Sequence, residues 1–274
     1  MGKHRRKRIA EETLQILERG AYERDGSSIS IADAQAAAVA GTRLFRPNDV
    51  ESLVRETTAG PAATDLAVVN ADTFSAARVL SKTSQREPVC LNFASARNPG
   101  GGFLNGAQAQ EECLARASGL YPTLCSAMEY YEHHRNNRTP LYSNHMIYSP
   151  GVPVFRDDKD QLTGEWFKAA VITSAAVNKG HLLRSCPELE PAVEPTMRAR
   201  IEGVLAVCAD RGHDDIVLGA WGCGVFRNDP ADMAEWFGDA IDGQFAGVFR
   251  KVVFAVLDPV AGTPTLNAFR NRLG

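Results

Sequence analysis

The spacing of apolar and polar positions changes near residue 60 of this 274-residue chain. Before that point the spacing is helical. Ile9 to Arg19 sets Ile9, Thr13, Leu14, Ile16 and Leu17 towards one side of a helix. Ala34 to Leu44 is alanine-rich and predicts a second helix, and Asp49 to Glu56 predicts a third with Asn48 as its cap. Asp25-Gly26-Ser27-Ser28 between them is a turn signal. Residues 1–60 therefore read as a helical N-terminal extension, and 61–274 as one compact main domain.

Beyond residue 60 short apolar runs alternate with helical spacing. Leu66 to Val69, Pro88 to Phe93, Phe167 to Ala175, Asp215 to Leu218 and Lys251 to Leu257 predict strands, with a shorter one over His145 to Tyr148. Between them lie predicted helices: one capped by Asp72 or Thr73 and running to Leu80, then Ala107 to Gly119, Leu120 to His133, Glu194 to Arg211 closed by Gly212, Pro230 to Asp242, and Pro264 to Leu273. Asn136 to Pro153, with three prolines, reads as irregular. This alternation predicts an α/β sandwich.

Composition adds little that is exceptional. Apolar residues make up 44% and charged residues 23%, and the net charge of −3 offers no global attraction to a polyanion. Any anionic ligand must be held by local potential. No apolar run reaches the ~18 residues that span a bilayer, so no membrane partner is expected. The six cysteines form no C-x-x-C pair and read as reduced thiols of a cytoplasmic protein. The basic start, Lys3-His4-Arg5-Arg6-Lys7-Arg8, lacks an apolar segment behind it and reads as a solvated end leading into a helix. No interleaved aromatic–basic patch accompanies it, so direct nucleic-acid binding is not expected.

The chemistry concentrates at Asn98-Pro99-Gly100-Gly101-Gly102, followed after seven residues by Gln110-Glu111-Glu112. Three glycines bare the backbone amides to an anion, and Pro99 argues for a loop. A second cluster, Gly222-Cys223-Gly224-Val225-Phe226, also follows a predicted strand, so both loops belong at the carboxyl edge of the sheet, where open α/β sheets bind ligands. Neighbouring helical residues point about 100° apart, so Glu111 and Glu112 cannot share one task. Alone, such a pair could simply complement a helix dipole. Beside the glycines it suits cleavage of a glycosidic bond in a nucleotide-linked sugar. No histidine stands near Cys223 in sequence to make it a nucleophile. His133 and His134 end a helix, where a cation suits the dipole. No metal-ligand spacing is present, and no cofactor is expected.

At these residues the chain resembles the poly(ADP-ribose) glycohydrolases. Leu91-Asn92-Phe93-Ala94-Ser95-Ala96 and Trp221 to Phe226 resemble the bacterial-type branch. The resemblance implies a macrodomain-like three-layer α/β/α sandwich with a mixed sheet. It implies hydrolysis of the ribose–ribose bonds of poly(ADP-ribose), with ADP-ribose, the polymer and poly(ADP-ribosyl)ated proteins as partners. Glu112 matches the catalytic acid, Glu111 the residue that orients the ribose hydroxyls, and Gln110 a loop brace. Asn98 resembles a ligand of the distal ribose. Gly100, Gly101 and Gly102, with Gly222, Cys223, Gly224 and Val225, match the diphosphate loops, and Phe226 packs on the distal ribose. Asp72 and Thr73 resemble an adenine-binding turn. Phe254 and Phe269 are candidates for stacking on adenine. Two other functions compete: a reader of ADP-ribose without catalysis, which Glu111-Glu112 disfavours, and a hydrolase acting on single ADP-ribosyl groups.

Overall fold

The computed structural model describes residues 1–274. The elements, in chain order, are α1 (Lys3–Arg19), a hairpin of β1 (Ala21–Arg24) and β2 (Ser27–Ser30), α2 (Ala32–Gly41), β3 (Arg43–Phe45), α3 (Pro47–Glu56), β4 (Asp65–Val69), α4 (Thr73–Ser84) and β5 (Val89–Phe93). Then follow α5 (Gln110–Ala117), α6 (Leu120–Ser126), α7 (Met128–Asn136), β6 (Met146–Arg156), β7 (Leu162–Ser174), α8 (Lys179–Ser185), α9 (Val193–Asp210), β8 (Asp215–Leu218), α10 (Pro230–Asp242), β9 (Lys251–Ala255) and α11 (Pro264–Leu273).

Seven strands form one mixed sheet in the order β3-β6-β7-β5-β8-β9-β4. The five from β7 to β4 are parallel, while β6 runs against both of its neighbours. Alternate strand residues feed two cores, as the two-residue period of a strand requires. Val89, Leu91, Ile216, Leu218, Val252 and Phe254 pack with α3, α9, α10 and α11. Cys90, Val171, Val217 and Val253 pack on the other face, with α2, α4, α5, α6 and α7. The result is the expected α/β/α sandwich. Because the central strands are parallel, the loops after β4, β5, β7, β8 and β9 all emerge at one edge.

The first 60 residues depart from the expected all-helical extension. The turn at Asp25-Gly26 closes a β-hairpin, and the predicted helix to Leu44 stops at Gly41, so that Arg43 to Phe45 can pair with Met146 to Tyr148 at the sheet's edge. Helix α3 begins two residues early, with Arg46 as its cap residue and Asp49 accepting the Arg46 amide at 2.9 Å. Asn48 therefore lies inside the helix. The segment expected to be irregular is half strand. Pro150 sits at a register shift between Ser149 and Val152, and β3 covers only the first residues of β6, so the missing N–H groups cost no ladder bond there. The expected helix from Leu120 to His133 is broken at Ala127 into α6 and α7.

Candidate active site

Strand β5 organises the site. Four of its residues are apolar, and the fifth, Asn92, is fully buried. Asn92 Nδ2 donates to Glu111 Oε1 and to Thr173 Oγ1, each at 3.2 Å. Just past the strand, the Ser95 amide donates to Glu111 Oε2 at 2.7 Å. Both oxygens of Glu111 are thus engaged. The side chain is almost wholly enclosed, and burial pushes its carboxyl up to about 8, against the opposing pull of the Ser95 and Asn92 donors.

Glu112 is placed differently. Its Oε1 accepts the Gly102 amide at 2.9 Å, while Oε2 has no protein partner. Gly100 and Gly101 turn the chain through positive φ of 66° and 60°. A Cβ on Gly101 would run into the Glu112 carboxylate and lie 3.0 Å from Glu111 Oε2, so a glycine is required beside both acids. Gln110 ties the arrangement to the sheet. Its Oε1 accepts the Phe93 amide at 2.9 Å, and its Nε2 donates to Leu91 O at 2.8 Å and Thr73 Oγ1 at 3.0 Å.

The N-terminal helix supports this loop from behind. Arg6 Nε donates to Gly106 O at 2.8 Å and the Thr13 hydroxyl to Arg116 O at 2.7 Å. The buried Arg116 guanidinium donates to Ala107 O at 3.0 Å and Gln108 Oε1 at 2.7 Å, fixing the approach to α5.

A cavity of about 470 Å³ lies at Glu112, walled also by Ser95, Asn98, Pro99, Gly101, Gly102, Leu104, Asn105 and Tyr121. The second glycine loop stands at the same sheet edge, after the neighbouring strand β8, but does not wall this cavity. It is pinned by Asn228, whose Nδ2 donates to Val177 O at 2.9 Å and Gly222 O at 3.3 Å, and by the buried Trp221, whose Nε1 donates to Ser174 O at 3.2 Å. Gly222 has φ 75°, whereas Gly224 is outside the left-handed region and a Cβ there meets open space. Val225 is 81% exposed, free to meet a ligand, and the Phe226 ring lies 6.1 Å from that of Tyr142. Cys223 Sγ is 3.7 Å from Trp221 O, and burial pushes its thiol up to about 12.

Sequence-predicted residues divide accordingly. Asn98, Gly100 to Gly102, Gln110, Glu111 and Glu112 form one cluster. Thr73 joins it only through Gln110, being itself buried. Asp72 caps α4, accepting the Ser75 amide at 3.0 Å. Phe254 and Phe269 are fully buried, 5.7 Å apart within the core, and cannot stack on a ligand. His134 is buried rather than dipole-bound as a cation. Burial lowers it to about 4, and its ring nitrogens meet Tyr130 O and the Ser143 hydroxyl, both at 2.8 Å. Asn92, Ser95, Leu104, Asn105 and Tyr121 were not singled out from sequence. For Asn92 a signal existed, a lone polar residue in an apolar strand.

A three-layer sandwich with a cleft at the carboxyl edge of a mixed sheet, and two adjacent glutamates opening a helix beside glycine amides, is a macrodomain-like fold. The chain belongs to the family described as "Microbial-type PARG, catalytic domain", whose profile matches residues 10–157. It is 47% identical to the poly(ADP-ribose) glycohydrolase of Thermomonospora curvata, covering 98% of this chain and 100% of that one with a TM-score of 0.95. The same enzyme bound to the inhibitor ADP-HPD matches at 47% identity over the same shares, with a TM-score of 0.90. The Deinococcus radiodurans enzyme in complex with ADP-ribose is 46% identical over 87% of this chain and 96% of that chain, with a TM-score of 0.82. No curated protein sequence matches the chain.

Proposed function

We propose that this protein is a poly(ADP-ribose) glycohydrolase in which Glu112 moves the proton. The observation that carries the assignment of roles is the asymmetry of the two acids. Both oxygens of Glu111 are held by donors, whereas Glu112 has one oxygen held by Gly102 and one buried without a partner. The held acid orients the ribose hydroxyls; the other serves as general acid and base.

The glycosidic C–O bond breaks with its electron pair passing to the leaving ribose oxygen, which takes the proton from Glu112. The oxocarbenium-like sugar is stabilised by the substrate's own diphosphate, held against the amides of Gly100 to Gly102 and the Gly222 to Val225 loop. Asn98 and Phe226 steady the distal ribose. Water then adds to the sugar carbon from which the oxygen left, giving its proton to the Glu112 carboxylate, and ADP-ribose is released. Two neighbouring glutamates do not flank a bond as a usual glycosidase pair does, so one acid acting twice fits them better.

Polymer-bearing proteins are the partners this chemistry calls for. No helix is long and apolar enough to cross a membrane. The test is hydrolysis of purified poly(ADP-ribose) with size analysis, beside a mono-ADP-ribosylated protein. Release of free ADP-ribose from polymer is expected. Turnover of the mono-modified protein alone would favour the side-chain hydrolase.

A further inference from the structure

Arg116, Arg156 and Arg200 are buried. Two of them reach carboxylates, Arg116 that of Asp160 at 3.4 Å and Arg156 that of Glu12 at 2.8 Å. Arg200, on α9, is fully enclosed and directs its donors to neutral acceptors on the loop between α7 and β6 and just past β7. Its Nε donates to Asn144 Oδ1 at 3.0 Å, one Nη to Leu141 O at 2.9 Å, and the other to Ala175 O at 2.8 Å. Burial lowers it to about 10, which leaves it a cation at neutral pH. A buried cation without a counter-charge weakens a fold, so its presence calls for a role.

The residue clasped between these contacts is Tyr142. It stands at φ 57°, a conformation that a bulky side chain rarely takes and that costs free energy. Its neighbours are tied down as well: Pro140 O accepts the Asn178 amide at 2.9 Å, and the Ser143 amide donates to His134 Nε2 at 3.2 Å. The outcome is a ring presented between His134, 5.7 Å away at 88°, and Phe226, 6.1 Å away at 44°. That separation is within the range in which aromatic pairs attract. Phe226 itself lies on the second glycine loop, between the 81%-exposed Val225 and Arg227 at φ 59°. Its backbone is fixed by the Gly180 amide, which donates to Phe226 O at 2.8 Å. For the fold alone, glycine at 142 and an apolar residue at 200 would serve better.

We propose that Tyr142 is a positioning residue of the reaction: clasped through Arg200, its ring holds the Phe226 ring in place against the distal ribose. The proposal rests on the glycohydrolase reading above, in which the distal ribose carries the bond to be broken. Misplacing a reacting group by about 1 Å can cost about a hundredfold in rate, which gives the clasp and the strained backbone their purpose.

Two variants of the full chain test it. Tyr142→Gly suits the backbone and removes the ring. Calorimetric affinity for ADP-ribose should fall about threefold or more, as the loss of one aromatic pair implies, and kcat/KM on polymer about fivefold or more. Affinity for ADP, which has no distal ribose, should stay within about 1.5-fold, showing that the variant is folded and its diphosphate loops intact. Tyr142→Phe keeps the ring and should match wild type in all three. An ADP-ribose loss no greater than the ADP loss would overturn the proposal, since Tyr142 would then be a packing residue. A Tyr142→Phe as impaired as Tyr142→Gly would overturn it too, since the hydroxyl and not the ring would matter. Failure of the wild-type protein to release ADP-ribose would instead remove the glycohydrolase reading, and is seen before any variant is compared.

Discussion

Glu111→Gln is predicted to stabilise the protein increasingly as pH rises. The folded chain holds this carboxyl at about 8, from an ordinary 4.5, because burial penalises the charged form. Between those two values the unfolded chain has lost the proton and the folded chain keeps it. The unfolded state then binds fewer protons, so the group's contribution to stability is fully present below pH 4.5 and is lost as pH rises through about 8. Each pH unit inside that window costs about 1.4 kcal/mol, so the penalty grows by roughly 3 kcal/mol between about pH 5.5 and about pH 8. Glutamine has the same shape and no charge. Its carbonyl can accept the Ser95 amide, and its amide can donate to Asn92 Oδ1, which has no partner in the wild type, once the Asn92 side chain turns over. The measurement is urea unfolding of both proteins at the two pH values. The stability difference between variant and wild type should increase by roughly 3 kcal/mol towards the higher pH. A difference constant to within about 0.5 kcal/mol would refute the reasoning, because Glu111 would then be ionised in the folded protein throughout. Activity of the variant should fall through misplacement of the ribose.

Three further outcomes are expected. Gly101→Ala should weaken ADP-ribose binding by about tenfold or more in calorimetry, since its Cβ meets the Glu112 carboxylate at a positive φ, whereas Gly224→Ala should weaken it far less; equal effects would place the two glycines in the same role. Cys223→Ser should retain most activity, and the thiol should resist alkylation at neutral pH because burial keeps it protonated; rapid inactivation by a thiol reagent would contradict this. Activity should survive prolonged chelation, since no group of three or more ligating side chains is gathered anywhere in the chain; loss restored by one divalent ion would overturn the metal-free mechanism.

Most of the architecture was legible because strands and helices carry their own periods. Leu66 to Val69, Asp215 to Leu218 and Pro230 to Asp242 needed only local pattern and caps. What escaped depended on partners distant in sequence. Arg43 to Phe45 is a strand only because β6 offers an edge, and β6, expected only as far as Tyr148, runs on to Arg156 past prolines that its bulge accommodates. The glycine–glutamate motif located the acids, since Gly100 and Gly101 have backbone conformations that few other residues tolerate. The supports of Glu111 did not announce themselves: Ser95 acts through its backbone amide, which no side-chain pattern reveals, and Asn92 only through its depth in the sheet. Phe254 and Phe269 lie in the core and not at an adenine site because an aromatic on a strand or closing helix fills a core more readily than a cleft.

Glu112 is the single proton carrier of the proposed reaction, and Glu112→Gln tests that role most directly. The amide preserves size and can still accept the Gly102 N–H, but it cannot give and retrieve a proton. ADP-ribose release from polymer, followed by size analysis, is measured beside calorimetric binding of ADP-ribose. Near-wild-type binding is expected, with turnover reduced by the ~10²–10⁴ expected of a general acid. Turnover retained above about a tenth of wild type, with binding intact, would contradict it.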